Sequence, residues 1–265
     1  MNESLEQVQS ALDLPIGPRE KDCRVPLTAT QLANWNYFEK SKEPRWRMGV
    51  TSVRVLGYLD IHVLERSVEF MVKRHESLRT RIVVTDGSPH QVIDADCGGH
   101  VQLSDLSKTP RAVVEDHAQR LAEAFLGERV DLSLGPLFAV KLIRLSLREH
   151  VLILALEHMI SDYESNQILV RELLTAYNYT AQRLLVPLPA LSVQFADYAV
   201  WQSQACGALR RLHGSYWKQR LSGMPPVKLP ARDALPSIEQ PVGEVLQVPF
   251  GEKLSVQLRE VVAHR

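Results

Sequence analysis

The chain has 265 residues, 45% of them hydrophobic and 23% charged. That is enough for one large domain or two lobes with a sizeable core, in a composition ordinary for a soluble globular protein. Its 31 basic residues are matched by 31 acidic ones, so no basic excess marks a face for nucleic acid. Cys23, Cys97 and Cys206 lie far apart with no Cys-x-x-Cys pair, which argues against a disulfide framework or structural zinc and suits a reduced cytosol. The opening MNESLEQVQSALDLP lacks the basic start and apolar run of a signal peptide, and the longest apolar stretch, residues 151–156, is too short to span a bilayer. A cytoplasmic protein with no membrane partner is expected.

Residues 1–26 are polar, with Leu5, Val8 and Leu12 at helix-like spacing before a Pro/Gly break, and read as a linker or a short docking helix. Residues 28–40 predict a helix, and 50–56 a strand bounded by Gly57. Asp60 caps a second helix with Ile61, Leu64, Val68 and Met71 on one face. Two β-like runs flank Asp86-Gly87, a strong hairpin signal. Thr109-Pro110 opens another helix, with Val114, Ala118, Leu121 and Phe125 inward.

Residues 137–147 and 151–156 predict two strands around Arg148-Glu149-His150. The second is apolar on both faces, as in the middle of a covered sheet. It leads into Glu157-His158-Met159-Ile160-Ser161-Asp162-Tyr163. Ser161 and Glu164 have the spacing of a capping box that starts a helix buried through Ile168, Leu169, Leu173, Leu174 and Tyr177. Helices over 194–205 and 208–221, a Pro-rich connector over 224–245, a strand over 245–250 and a helix starting near Leu254 complete the pattern. The aromatic group Phe195, Tyr198, Trp201, Tyr216 and Trp217 is expected to pack between helices.

A central strand thus delivers His158 to a sheet edge, just before a capped helix. Strand ends and helix N-termini are where α/β folds place reactive groups. An imidazole titrates near neutrality and can accept a proton from an amine or hydroxyl. An Asp four residues on can hold the loop by pairing with a buried Arg. The same residues also suit a hydrogen-bonded loop histidine beside a first-turn carboxylate. No further ligand clusters with Glu157, His158 and Asp162, so no metal is expected.

Four stretches resemble one family. Arg74-His75-Glu76-Ser77-Leu78-Arg79-Thr80 closely matches the R-H-E-x-L-R-T motif of nonribosomal peptide synthetase condensation domains. The run from Phe195 through Asp197-Tyr198-Ala199 to Trp201-Gln202 resembles their Y-x-D-Y-A-x-W-Q, and Tyr216-Trp217 through Leu221 and Gly223 resembles the Y-W-x-x-x-L-x-G that follows. Leu27-Thr28-Ala29-Thr30-Gln31 with Trp35 looks like a degraded S-x-A-Q-x-R-L-W, with Ala33 and Asn34 at its Arg and Leu. The matches keep the family's order and spacing over residues 27–223.

The resemblance implies an α/β fold, a two-layer sandwich of the chloramphenicol-acetyltransferase-like kind. Residues 27–223 would form the N-lobe of a condensation domain, and 224–265 a connector and the start of a second lobe largely missing from the chain. It implies amide-bond formation between a carrier-bound acyl or peptidyl thioester and a carrier-bound amino acid, in a tunnel between two lobes. The partners would be donor and acceptor peptidyl carrier proteins, with an adjacent adenylation domain as a further candidate. No cofactor would bind directly; the carriers' phosphopantetheine arms would bring the substrates. On the family's H-H-x-x-x-D-G motif, the second His falls on His158, as the catalytic residue, and the Asp on Asp162, as structural support; Arg79 is the candidate partner of Asp162. Two positions depart: Glu157 stands at the first His and Tyr163 at the Gly. Those departures keep a second expectation open, a non-catalytic condensation-like binding module. An acyl-CoA-dependent acyltransferase of the same superfamily shares His-x-x-x-Asp and is a third, and an epimerization domain a fourth.

Overall fold

The computed structural model describes residues 15–40, 48–95, 98–128, 130–225, 248–249 and 251–263. They divide into two units, one up to Lys218 and one from Gln219 onward. In chain order the elements are β1 (Val25–Pro26), α1 (Ala29–Lys40), β2 (Met48–Leu56), α2 (Ile61–Arg74), a 3-10 turn (Glu76–Arg79), β3 (Thr80–Thr85) and β4 (Ser88–Ile93). Next come β5 (Val101–Asp105), α3 (Val114–Leu126), β6 (Phe138–Ser146), β7 (Glu149–Glu157), α4 (Tyr163–Ala181), α5 (Phe195–Arg220) and α6 (Glu252–Ala263). The last belongs to the second unit and carries no buried residue.

The apolar run 151–156 lies in β7, an inner strand of a four-stranded sheet ordered β2-β7-β6-β5. Its two faces explain why alternation is missing from the sequence. Leu152, Leu154 and Leu156, with Val140 and Leu142 of β6, meet Leu64, Val68, Met71 and Val72 of α2 and Leu169 and Leu173 of α4. Ile153 and Ala155, with Ile143 and Leu145, meet Val114, Ala118 and Phe125 of α3. The expected α/β layering is present in the helix pair α2/α4 on the sheet, and α3 adds cover to the other face. β5 and β6 are the parallel pair, and α3 is the crossover that parallel pairing requires. The hairpin β3–β4 turns at Asp86 and Gly87, both at positive φ (53° and 72°), as a two-residue type I′ loop demands. It forms a three-stranded sheet with β1.

Several local expectations change. Glu149 and His150 belong to β7, and the turn is only Leu147-Arg148; His150 is buried opposite Arg144. The helix expected from Thr109-Pro110 starts at Val114, because two turns (Thr109 N–H to Leu106 O, Val113 N–H to Pro110 O) occupy the chain before it. The buried stripe of α4 runs Asn166, Leu169, Leu173, Ala176, leaving Ile168 and Leu174 exposed. Helices expected over 194–205 and 208–221 are one continuous α5, since an isolated Gly such as Gly207 weakens a helix without ending it. Phe195, Tyr216 and Trp217 of that helix are exposed rather than packed in a core. The expected docking helix within 1–14, the connector over 224–245 and the strand over 245–250 fall almost wholly outside the described residues.

Candidate active site

The loop between β7 and α4 is anchored at both ends and in the middle. At its entry, Glu157 N–H donates to Leu137 O at 2.9 Å. Ile160 N–H and Ser161 Oγ both return to Glu157 O, at 3.0 and 3.1 Å. Met159 and Ile160 turn inward and join the core, at 3% and 8% exposure. His158, between Glu157 and that inward pair, is exposed. Its Nδ1 lies 3.3 Å from Ser161 O. A carbonyl oxygen only accepts, so in the neutral ring this contact places the proton on Nδ1 and leaves the Nε2 lone pair available.

At its exit, Asp162 caps α4. Its Oδ1 accepts from Ser165 N–H at 2.8 Å and Ser165 Oγ at 2.6 Å, so the cap is Asp162 rather than the expected Ser161–Glu164 box. Those two bonds hold the Asp162 carboxyl below the usual carboxylate range against a smaller opposing effect of burial, and the nearby His158 acts in the same direction. Asp162 is therefore the N-cap of α4.

Arg79 is not its partner. Arg79 Nη1 donates to Asp94 O at 2.6 Å, and Nη2 lies 3.7 Å from Glu76 Oε1, so this guanidinium ties the 3-10 turn to the end of β4. The expectation of an Asp162–Arg79 pair is corrected: a helix cap already engages the carboxylate, and two acceptors in Arg79's own neighbourhood engage the cation. Glu157 is buried at 9% exposure, on the last position of β7, whereas Tyr163 opens α4 and is 74% exposed. Among the described residues no group of three or more His, Cys, Asp or Glu is placed to hold a metal.

Arg74, His75 and Glu76 of the R-H-E-x-L-R-T stretch build a part-buried polar lattice. Arg74 Nε and His75 Nε2 reach Glu172 Oε2 of α4 at 2.9 and 2.8 Å. Burial alone would raise the Glu172 carboxyl; hydrogen bonds from Arg74 and His75 outweigh it and bring it below its ordinary value. Glu76 and Asp197 share Arg19, at 2.8 and 2.7 Å. Asp197 Oδ2 also accepts Gln194 N–H at 2.7 Å, at the start of α5.

Sequence reasoning missed α1's part in the site. Gln31 Nε2 donates to Met159 O at 2.7 Å, and Asn34 Nδ2 lies 3.4 Å from His158 O. The signal was present: Thr28-x-x-Gln31 has capping-box spacing, and its reciprocal bonds form (Thr28 N–H to Gln31 Oε1, 2.9 Å; Gln31 N–H to Thr28 Oγ1, 3.2 Å).

A family model for the condensation domain matches residues 22–265. The chain belongs to the condensation-domain family. Among curated relatives, this condensation-domain chain is 32% identical over 258 residues to one component of the linear gramicidin synthase of Brevibacillus parabrevis, covering 97% of the chain and 5% of that protein. It is 33% identical over 219 residues to phosphinothricin tripeptide synthetase PhsB of Streptomyces viridochromogenes, covering 81% and 18%. Among solved structures it resembles the X-domain from teicoplanin biosynthesis, crystallised in complex with OxyB, at TM-score 0.71 and 29% identity over 85% of this chain and 49% of that one. The starter condensation domain of rhizomide synthetase, at 16% identity and TM-score 0.69 over 77% of this chain and 49% of that one, shares the fold. The chain thus spans about half the length of these structures, and a small part of each synthetase. No helix among the described residues is long and apolar enough to cross a membrane.

Proposed function

We propose that this chain is part of an amide-forming condensation domain of a nonribosomal peptide synthetase, with His158 as its base. One observation supports the reading: an exposed His158 whose Nδ1 is engaged by Ser161 O, which leaves Nε2 of the neutral ring as the acceptor. The donor would arrive as a thioester on the phosphopantetheine arm of one carrier protein, and the acceptor amine on that of another. The amine nitrogen attacks the thioester carbonyl, Nε2 takes the proton the nitrogen loses, the C–S bond breaks, and the imidazolium returns a proton to the departing thiolate. The thioester is already activated, so no protein nucleophile is needed. Holding both reactants together would contribute on the order of 7 kcal/mol or more, and one general base about 10²- to 10⁴-fold. In this reading residues 27–223 form the N-lobe and 224–265 lead into a second lobe, the carriers and a neighbouring adenylation domain are the partners, and the protein works in the cytoplasm.

The test is a His158→Ala variant of a full-length condensation domain containing this chain, with amide product read by mass spectrometry of the loaded carriers. Product should fall by about 10²- to 10⁴-fold while carrier binding persists; undiminished product would remove His158 from the chemistry.

A second reading is a non-catalytic binding module. The exposed Tyr163 at the start of α4, where the family has Gly, favours it, as does the likeness to a teicoplanin X-domain solved with OxyB. Stable capture of a partner enzyme that is indifferent to His158→Ala, with no product from either variant, would select it.

A further inference from the structure

We infer that Gln31 and Asn34, one turn apart on α1, are positioning residues that set the orientation of His158 by holding the two carbonyls of the His158–Met159 segment. This rests on the proposed base role of His158 for its consequence in rate, and on geometry alone for its consequence in imidazole orientation.

Gln31 is 3% exposed, and its amide is fully used. Its carbonyl oxygen accepts Thr28 N–H in the capping box, so its NH₂ must point away from the start of α1. There Nε2 meets two acceptors, Met159 O at 2.7 Å and Gln91 Oε1 at 3.2 Å. A donor at one end and acceptors at the other leave one orientation of the amide. Gln91 is itself fixed by donating to Pro26 O at 2.8 Å.

The loop side is equally constrained. Met159 is buried on its side chain and bound on its carbonyl, and Asn34 reaches the His158 carbonyl, which lies in the plane of the next peptide. Together with the preceding peptide, whose Glu157 O accepts from Ile160 N–H and Ser161 Oγ, that plane sets where the His158 Cα–Cβ bond points. The ring's own bond to Ser161 O then restrains its two side-chain torsions. Asn34 stands where the family's opening motif has Leu, so one of its departures gives α1 a direct bond to the histidine residue.

α1 has a second, independent tether: Ala29 N–H donates to Gln202 Oε1 of α5 at 2.8 Å. Losing that tether loosens the start of α1 without touching the His158 loop, which separates positioning from general support of the helix.

The experiment reads the ¹⁵N shifts of the His158 ring in this chain at pH 8, assigned with His158→Gln, for wild type, Gln31→Glu, Asn34→Leu and Gln202→Leu. Gln31→Glu is nearly isosteric and keeps the oxygen for Thr28, but turns a carboxylate oxygen toward Met159 O and Gln91 Oε1. Wild type and Gln202→Leu should show the Nδ1–H tautomer; Gln31→Glu and Asn34→Leu should show a mixture of tautomers. Asn34→Leu lies on a partly exposed face and keeps the test decisive if Gln31→Glu does not fold. An unchanged tautomer in the folded variants overturns the inference, and so does an equal change in Gln202→Leu. In a full-length condensation domain, Gln31→Glu should lower kcat by about tenfold to a hundredfold with KM little changed, as a misplaced catalytic group does. A shifted tautomer with an unaltered rate upholds the positioning role and refutes the base role of His158.

Discussion

Replacing Asp197 tests the polar lattice that joins three distant segments. The carboxylate is 5% exposed and accepts three N–H groups: Arg19 N–H (3.1 Å) and Arg19 Nη1 (2.7 Å) on Oδ1, and Gln194 N–H (2.7 Å) on Oδ2. Asp197→Ala leaves the two backbone donors unpaired, at about 1–3 kcal/mol each when buried. The Arg19 guanidinium keeps Glu76 at 2.8 Å, so it does not become an isolated buried charge. A cavity of about 420 Å³ lined by Arg19, Asp197 and Trp201 admits water to this corner, which moves the cost toward the lower end. The expected loss is about 2–4 kcal/mol. Asp197→Asn is not conservative here, because both oxygens accept and the new NH₂ must face a donor. It should lose about 1–3 kcal/mol. Urea unfolding followed by tryptophan fluorescence measures both variants. An Asn variant within about 0.5 kcal/mol of wild type would refute the claim that both oxygens are needed.

Three further outcomes are expected. Burial first, then the Arg144 charge, hold the His150 imidazole below its usual range, with Asp105 partly offsetting them. The unfolded chain therefore protonates first as pH falls below about 6.5, and stability drops by at most about 1.4 kcal/mol per pH unit from this group; His150→Leu should flatten that slope in urea titrations between pH 7.5 and 5.5. Gly99→Ala would place a Cβ 2.8 Å from Glu69 N and from Val68 Cγ1, and should lower stability by about 1–3 kcal/mol, read by calorimetry. Asp162→Ala should lose about 1 kcal/mol as a helix cap, while Asp162→Ser retains most of it, both read from urea midpoints.

The strand and helix that flank His158 and Asp162 were legible because the information is local: an apolar strand, a short turn and a helix start sit within a few residues of one another. The exposure of His158 between inward-turning neighbours follows from the same stretch. Which carboxylate each arginine meets was not legible, since Arg79, Arg74 and Arg19 choose among acidic residues brought near only by folding. Arg19 lies in a segment read as linker, yet its partner is 178 positions away. Gln31 falls between: its capping-box spacing is visible in the sequence, but the use of its NH₂ depends on where the β7–α4 loop comes to rest. Phe195, Tyr216 and Trp217 of α5 were expected inside and lie exposed, as a bulky ring carries no mark of which side of a helix is wet.

The pairing of β2 with β7 has a consequence for how the chain is made. Every rung of that ladder joins residues about a hundred positions apart, from Leu56 with Glu149 to Met48 with Glu157. A ribosome adding about 5–20 residues each second leaves β2 without its neighbour for some 5–20 s. During that interval Met48–Leu56 has both strand edges open, the kind of surface that invites pairing with another chain. The hairpin β3–β4 can close at once, but the sheet beneath His158 cannot exist until Glu157 has emerged. The nascent protein therefore passes through a window in which that strand is open to pairing with the wrong partner.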